Sequence, residues 1–282
     1  MSVKLYAFTC GTLTGALGNL MAGGEGDITV PVPAYFIEHP RGRVVFDTGL
    51  HPDLMHEPEK RLGERLAAMF RVGFGPGEDV ASRLAAIDRD PWRVDLLIAS
   101  HLYFDHVGGN ALIPNATLLV QRREWDVGMD REAAPSRGFD RRDYDLGHKT
   151  RIVDGEHDVF GDGSVMIIST PGHTPGHQAL LVRLPKSGAV VLSGDAVHFK
   201  DNWDNRRVPS MNVNKGQTLA SMQRIADIVE KEHGQLWINH DKPQSDAQRR
   251  RRIITNKRHN ERATNERARL SLNRRRRRSN AA

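Results

Sequence analysis

The run Ser100-His101-Leu102-Tyr103-Phe104-Asp105-His106-Val107-Gly108-Gly109 sets two imidazoles, a phenol and a carboxylate within six residues, directly after an apolar segment. Imidazole nitrogen and carboxylate oxygen together suit divalent ions, zinc first, with manganese, iron or cobalt as alternatives. A strand ending at Val94-Asp95-Leu96-Leu97-Ile98-Ala99 would deliver His101, Asp105 and His106 on one loop, so the run reads as the core of a metal-dependent hydrolase. Tyr103 stands where a third imidazole would complete the pattern. A neutral phenol is a poor ligand, and a phenolate forms only if a metal's charge favours it over a reference pKa of about 10.

Three further apolar segments end on residues of the same kind. Val165-Met166-Ile167-Ile168-Ser169 leads into Thr170-Pro171-Gly172-His173-Thr174-Pro175-Gly176-His177, whose prolines and glycines form a stiff turn around His173. Ala189-Val190-Val191-Leu192-Ser193-Gly194 leads into Asp195, and Leu236-Trp237-Ile238-Asn239 into His240-Asp241. Each has a bland alternative: Asp195 as a helix cap, His177 as a packing or supporting residue, and Asp47 in Phe46-Asp47-Thr48-Gly49 as a brace for loop backbone. Isolated histidines such as His51, His56, His148, His157 and His233 read as surface or capping residues. Four junctions of one type are a different matter, because one sheet edge can gather them into a metal site.

The elements that must position these groups follow from hydrophobic pattern. Strands are predicted near 3–9, 31–38, 43–47, 94–99, 116–121, 164–169, 178–184, 189–193 and 235–239. Helices are predicted at 59–71, 79–88 and 215–232. In the last of these Leu219, Met222, Ile225, Ala226 and Val229 share a face, and Asn214 with Gln217 suits a capping box. Residues 10–30 and 128–148 lack periodicity and read as loops over a site. With 282 residues the chain can bury a large core, and its alternation of strands and helices gives an α/β fold. The start, Met1-Ser2-Val3-Lys4-Leu5-Tyr6-Ala7-Phe8, alternates like a strand and lacks a signal-peptide layout, and no apolar run is long enough to span a membrane. A cytoplasmic protein is therefore expected. Cys10 is the one cysteine, which excludes an internal disulfide and a thiolate cluster.

Charge divides the chain in two. Residues 249–282 carry 14 Lys and Arg against Glu261 and Glu266, a net +12, whereas residues 1–248 carry a net −6. The sequence thus predicts a catalytic domain over 1–248 and a basic, disordered tail over 249–282, which has too few apolar residues for a core. Such a tail offers nonspecific affinity for nucleic acid, but no aromatic residue interleaves its arginines.

With these residues in place, the chain resembles the metallo-β-lactamase superfamily over roughly residues 3–245, and within it the N-acyl-homoserine lactonases that quench bacterial quorum sensing. The resemblance rests on Val45-Phe46-Asp47-Thr48-Gly49, the 101–106 run, the 170–177 turn, Gly194-Asp195-Ala196-Val197-His198 and Asn239-His240-Asp241. It implies a four-layer αββα sandwich of two mixed sheets, with a dinuclear site at one edge. It assigns one metal to His101, the Tyr103 position and His173, the other to Asp105, His106 and His240, with Asp195 bridging. The two ions would share a water and supply a hydroxide nucleophile that opens the lactone ring. Asp105 would orient it and carry a proton to the leaving alkoxide.

At the place three residues past the bridging aspartate many members have a tyrosine that hydrogen-bonds the substrate carbonyl; here it is His198, which can donate the same bond. At Tyr103 the outcomes stay open: ligation as phenolate, a weak first site, water in place of the residue, or an exchange in which His198 approaches the metal. The segment 13–21, with Leu13, Leu17, Leu20 and Met21, offers cover for an acyl chain. The resemblance also implies a homodimer. Alternatives are a hydrolase of another lactone, a thioester or a phosphotriester on the same site, a nuclease or nucleic-acid-binding member, and a pseudoenzyme disabled at Tyr103. Deleting residues 249–282 separates these classes: a lactonase keeps its kcat/KM within about twofold, whereas a nucleic-acid binder loses salt-sensitive affinity in a filter-binding assay.

Overall fold

The computed structural model describes residues 2–248, so the tail over 249–282 lies outside the described residues. Two sheets form the centre. The first contains β1 (Lys4–Ala16), β2 (Asp27–His39), β3 (Gly42–Phe46), β4 (Phe70–Gly73), β5 (Leu96–Ile98), β6 (Thr117–Gln121) and β7 (Thr150–Val153), in the order β4-β1-β2-β3-β5-β6-β7. The second contains β8 (His157–Asp158), β9 (Val165–Ser169), β10 (Gln178–Leu184), β11 (Gly188–Leu192) and β12 (Gln235–Trp237), in the order β12-β11-β10-β9-β8. Both are mixed: β3, β5, β6 and β7 are parallel neighbours in one, and β11 and β12 in the other.

Period-two alternation builds the layers. Val44, Phe46, Ile98 and Leu119 of the first sheet meet Ile167, Leu180, Val182, Val190 and Leu192 of the second in one buried cluster. Their sequence neighbours point outward. Val45, Leu97, Leu118 and Val120 pack with Val80 and Leu84 of the helix Val80–Ala85, while Ile168, Leu181 and Val191 pack with Ile225 of the helix Lys215–Lys231. Helices on the outer faces of two facing sheets give the αββα arrangement. The Lys215–Lys231 helix buries Met222 and Ile225 with Leu219 and Val229 partly covered, and Asn214 Oδ1 accepts the Gln217 N–H at 2.9 Å, an N-cap that supplies one of the two bonds of the expected capping box.

Several elements depart from the sequence reading. Residues 10–16 and 27–30 are strand rather than loop, because β1 and β2 form one long antiparallel hairpin that continues past an irregularity between Thr9 and Thr12. Its polar positions, such as Thr12 and Thr14, gain β4 as a second neighbour, a pairing that no local pattern signals. Strands β7 and β8 are short and set by their partners β6 and β9. The stretch 128–148 holds short helical turns, Ala133–Ser136 and Arg141–Asp143, and the helix Arg122–Met129 precedes them.

Truncating Ile167, fully buried between the sheets, to alanine should lower stability by about 2–5 kcal/mol, read from the urea midpoint of the metal-free protein.

Candidate metal centre

Strand direction explains why the four junctions meet. Strands β3 and β5 run parallel, so Asp47 and the 99–106 loop leave the first sheet at the same edge. Two antiparallel steps separate β9 from β11, and β12 is parallel to β11, so the segments bearing His173, Asp195 and His240 leave the second sheet in one direction. Functional loops at the carboxyl ends of strands are the usual outcome in open α/β sheets.

There the donor atoms converge. Three sets of ligand atoms lie within 4.8 Å of one another: those of His101, His106 and Asp195, of Asp105, His106 and His240, and of His173, Asp195 and His198. Asp195 is shared between the halves. Its Oδ1 is 3.2 Å from His240 Nε2 and 3.4 Å from His106 Nε2, and its Oδ2 is 3.1 Å from His198 Nε2 and 3.5 Å from His173 Nε2. Asp105 Oδ2 lies 3.6 Å from His106 Nε2 and 3.9 Å from His240 Nε2. All seven residues are buried.

The outer nitrogens of four imidazoles are anchored. Ser100 donates its hydroxyl to Asp47 Oδ2 at 2.8 Å, which leaves Ser100 Oγ to accept from His101 Nδ1 at 3.0 Å. His106 Nδ1 donates to Asp47 Oδ2 at 2.9 Å, His173 Nδ1 to Asn212 Oδ1 at 2.9 Å and His240 Nδ1 to the Pro31 carbonyl at 2.8 Å. With Nδ1 carrying the proton, each Nε2 presents its lone pair to the cluster. The Nε2 atoms of His101, His106 and His173 are buried with no hydrogen-bond partner. A buried unsatisfied polar atom costs about 1–3 kcal/mol, so this array is costly as it stands and is relieved by cations. Imidazoles anchored through Nδ1 with Nε2 converging on carboxylates form a donor set that fits two divalent ions.

Without bound cations the electrostatics divide the rings, holding His101 and His173 neutral and favouring a proton on His106 and His240. Burial, with the neighbouring His106 and His173, holds His101 well below the usual histidine pKa, and burial pulls His173 down to about 4. Burial acts the same way on His106 and His240, but Asp195 and Asp105 overcome it and raise both. Burial would raise Asp195, yet His240, His106 and His198 hold it well below the carboxylate range. Burial and the nearby Glu124, Asp195 and Asp105 raise the Tyr103 phenol above its usual value.

His177 serves as a brace. The Asp195 backbone N–H donates to its Nε2 at 2.9 Å, so Nδ1 holds the proton and bonds Thr170 Oγ1 at 2.8 Å. Asn239 Nδ2 donates to Asp195 Oδ1 at 2.8 Å, and Asp241 Oδ2 accepts the Lys200 N–H. Asp47 braces the loop as expected, accepting the Ser100 N–H at 2.7 Å. His51 is a cap, its ring nitrogen accepting the Asp53 N–H.

Glu124 escapes the sequence reading. It lies in the helix Arg122–Met129 and looks like an ordinary first-turn acid, yet it is fully buried. Its two oxygens accept the Leu102 N–H at 3.1 Å and the Gly176 N–H at 2.8 Å, tying the loop from the first sheet to the turn from the second. A Cβ on Gly176 would stand 2.3 Å from the Glu124 backbone nitrogen, so only glycine permits this approach. Burial raises the carboxyl to about 7, against the lowering effect of the Thr174 hydroxyl and the Gly176 and Leu102 amides.

Above the cluster is a cavity of about 360 Å³. Its floor includes Asp105, His173, Asp195, His198 and His240, and its walls Leu13, Leu20, Val30, Leu66, Met69, Phe70 and Met211, with Tyr103 and Phe104 beside them. Leu13 and Leu20 belong to the segment expected to cover an acyl chain. A wider recess of about 730 Å³ shares Arg65, Leu66, Phe104 and Gly138 with this cavity, but no residue of the donor cluster lines it. The chemistry therefore belongs to the smaller, apolar cavity.

Comparison with known proteins agrees with this geometry. The family model described as Metallo-beta-lactamase superfamily matches residues 28–237. The N-acyl homoserine lactonase AttM of Azorhizobium caulinodans is 32% identical over 246 residues, 85% of this chain and 93% of its own length. The N-acyl homoserine lactonase AiiA of Bacillus thuringiensis subsp. kurstaki is 28% identical over 215 residues, 76% of this chain and 82% of its own. The structure resembles that of an N-acyl homoserine lactone hydrolase with the product N-hexanoyl-L-homoserine at its catalytic metal centre, with a TM-score of 0.79 and 26% identity, covering 88% of this chain and 97% of that one.

Glu124 generates a prediction in two parts. Glu124→Gln sets an amide N–H against a backbone N–H and should cost about 1–3 kcal/mol in urea unfolding of the metal-free protein. Because burial raises the folded-state pKa to about 7, above an unfolded value of about 4.3, the folded state binds the extra proton between these limits. The wild-type advantage over the glutamine variant should therefore shrink as pH rises from about 5 to about 7. A gap that widens instead would show that the clamp is stabilised as the anion.

Proposed function

This chain belongs to the metallo-beta-lactamase superfamily, and on that footing we propose that it opens the lactone ring of N-acyl-homoserine lactones, a quorum-quenching reaction. One observation carries the reading: buried imidazole Nε2 atoms without partners converge on two carboxylates at the floor of an apolar cavity. Relatives named N-acyl homoserine lactonase, matched over most of their length, support the substrate class.

His101, His173 and Asp195 would hold one ion, and Asp105, His106, His240 and Asp195 the other. Two divalent ions bound there supply Lewis acidity, which lowers the pKa of water toward neutrality and polarises an ester carbonyl. The protein's own groups do the rest. The Nδ1 anchors on Asp47, Ser100, Asn212 and Pro31 fix the rings so that the donors need not reorganise during the reaction. Asp105, at the cavity floor, orients the attacking water, takes the proton it sheds as its oxygen bonds the carbonyl carbon, and hands that proton to the ring oxygen as the C–O bond breaks, leaving an acyl-homoserine. Leu13, Leu20, Val30, Met69 and Phe70 exclude water and receive the acyl chain.

Zinc is the metal we favour, since nitrogen-rich sites with carboxylates suit it. We assign the catalysis to residues 1–248 and treat the basic segment 249–282 as separate from it. We also place the protein in the cytoplasm and take it to work as a homodimer on a small-molecule substrate; among the described residues no helix is long and apolar enough to cross a membrane.

The test is proton release in weak buffer. Protein loaded with zinc, manganese or cobalt should acidify a solution of a medium-chain N-acyl-homoserine lactone, stop on chelation and recover on adding metal back. Asp105→Asn should lower kcat by about 10²–10⁴-fold. Absence of acid from every form shown to hold two ions would sink the lactone as substrate.

A further inference from the structure

His198 differs from the other imidazoles of the cluster. His101, His106, His173 and His240 each have Nδ1 tied to a named partner, whereas both nitrogens of His198 are buried without one. The side chain is 1% exposed. Its Nε2 stands 3.1 Å from Asp195 Oδ2, the oxygen that also faces His173 Nε2 at 3.5 Å, and the three ligand atoms lie within 4.8 Å of one another. The ring centroids of His173 and His240 are 5.2 and 5.5 Å away.

Tyr103 is placed otherwise. Its ring packs edge-on against His101 and His173, at centroid separations of 4.8 and 5.2 Å, and against Phe139 at 5.4 Å, as part of the cavity wall. Tyr103 lines the cavity, where a phenol is able to donate a hydrogen bond to a ligand. An imidazole with a free Nε2 is the better ligand for an ion already contacted by Asp195 and His173.

We propose that these two residues have exchanged tasks: His198 is the fourth protein ligand to the ion held by His101, His173 and Asp195, and Tyr103 donates a hydrogen bond to the substrate's carbonyl oxygen. The assignment rests on the two-ion reading of the site but not on the identity of the lactone. It also explains how a chain with tyrosine at position 103 keeps as many nitrogen ligands as one with histidine there.

Equilibrium dialysis against zinc, followed by elemental analysis, tests it on the full-length protein. The wild type and Tyr103→Phe should each hold two ions, and their cobalt(II) forms should have the same visible absorption spectrum. His198→Ala and the milder His198→Asn should weaken one of the two ions at least about tenfold, with metal-free melting curves reporting that the variants fold. Adding Tyr103→His to His198→Ala should return an imidazole to the site and recover the second ion. Tyr103→Phe should instead lower kcat/KM, by about 10²-fold, with its metals intact. Loss of an ion from Tyr103→Phe, or two tightly held ions in both His198 variants, would overturn the exchange. A wild type that holds fewer than two ions would overturn the two-ion reading and the exchange with it.

Discussion

The rest of the structure is organised around Asp195, a carboxylate buried among imidazoles. Its charge is held by His106, His198 and His240, whose Nε2 atoms stand 3.1–3.4 Å away, and by Asn239, which donates to Oδ1. The Nε2 atoms of His106, His173 and His198 in turn have no hydrogen-bond partner among the described residues. Neither side is stable without the other, because unpaired buried charge and unpaired buried donors are both penalised. Metal binding and the final packing of these loops are therefore one event in free-energy terms.

Such a cluster must be assembled from both sheets, and the supports reflect that. Asp47 and Ser100, from the first sheet, aim His101 and His106. His177 and Asn239, from the second, hold the backbone and carboxylate of Asp195. Glu124 then ties the two sides through the Leu102 and Gly176 amides. The apolar cluster between the sheets fixes their spacing, so a packing change there reaches the metal ligands through strand ends only a few residues away. Rigid scaffold below and anchored rings above are what keep the donors preorganised.

The sequence shows the donors far more readily than their supports. His101, Asp105, His106, His173, Asp195 and His240 are legible because each follows an apolar strand and belongs to a rare residue combination. Glu124 is not, since a glutamate in a helix's first turn is commonplace and its burial depends on where that helix packs. Asn212 and Pro31 are invisible for the same reason: they act from loops and strands remote in sequence from His173 and His240. The β1–β2 hairpin looks like a loop over residues 10–16 because its Thr and Gly content mimics one, and strand pairing with β4, a nonlocal interaction, decides the matter. The exchange between Tyr103 and His198 lies in between. Its residues are plain in the chain, but the 3.1 Å separation of His198 Nε2 from Asp195 Oδ2, which points to a ligand, exists only in the fold.

The two sheets solve one backbone problem in two ways. At each junction the chain must turn sharply out of extended geometry while aiming polar groups at the cluster, and at Asp47 and Gly194 it does so with a left-handed residue, φ 56° and 49°. For a non-glycine residue that conformation costs about 1–3 kcal/mol. Asp47 carries the cost because its carboxylate is needed beneath the site, and three hydrogen bonds from Ser100 and His106 hold it there. At position 194 no side chain is needed and none fits: a Cβ would stand 2.6 Å from His177 Nε2, the atom that holds the Asp195 amide. Aspartate in one sheet and glycine in the other follow from the same geometric demand. The choice is set by whether the metal loops need a carboxylate at that point or need the space for an imidazole.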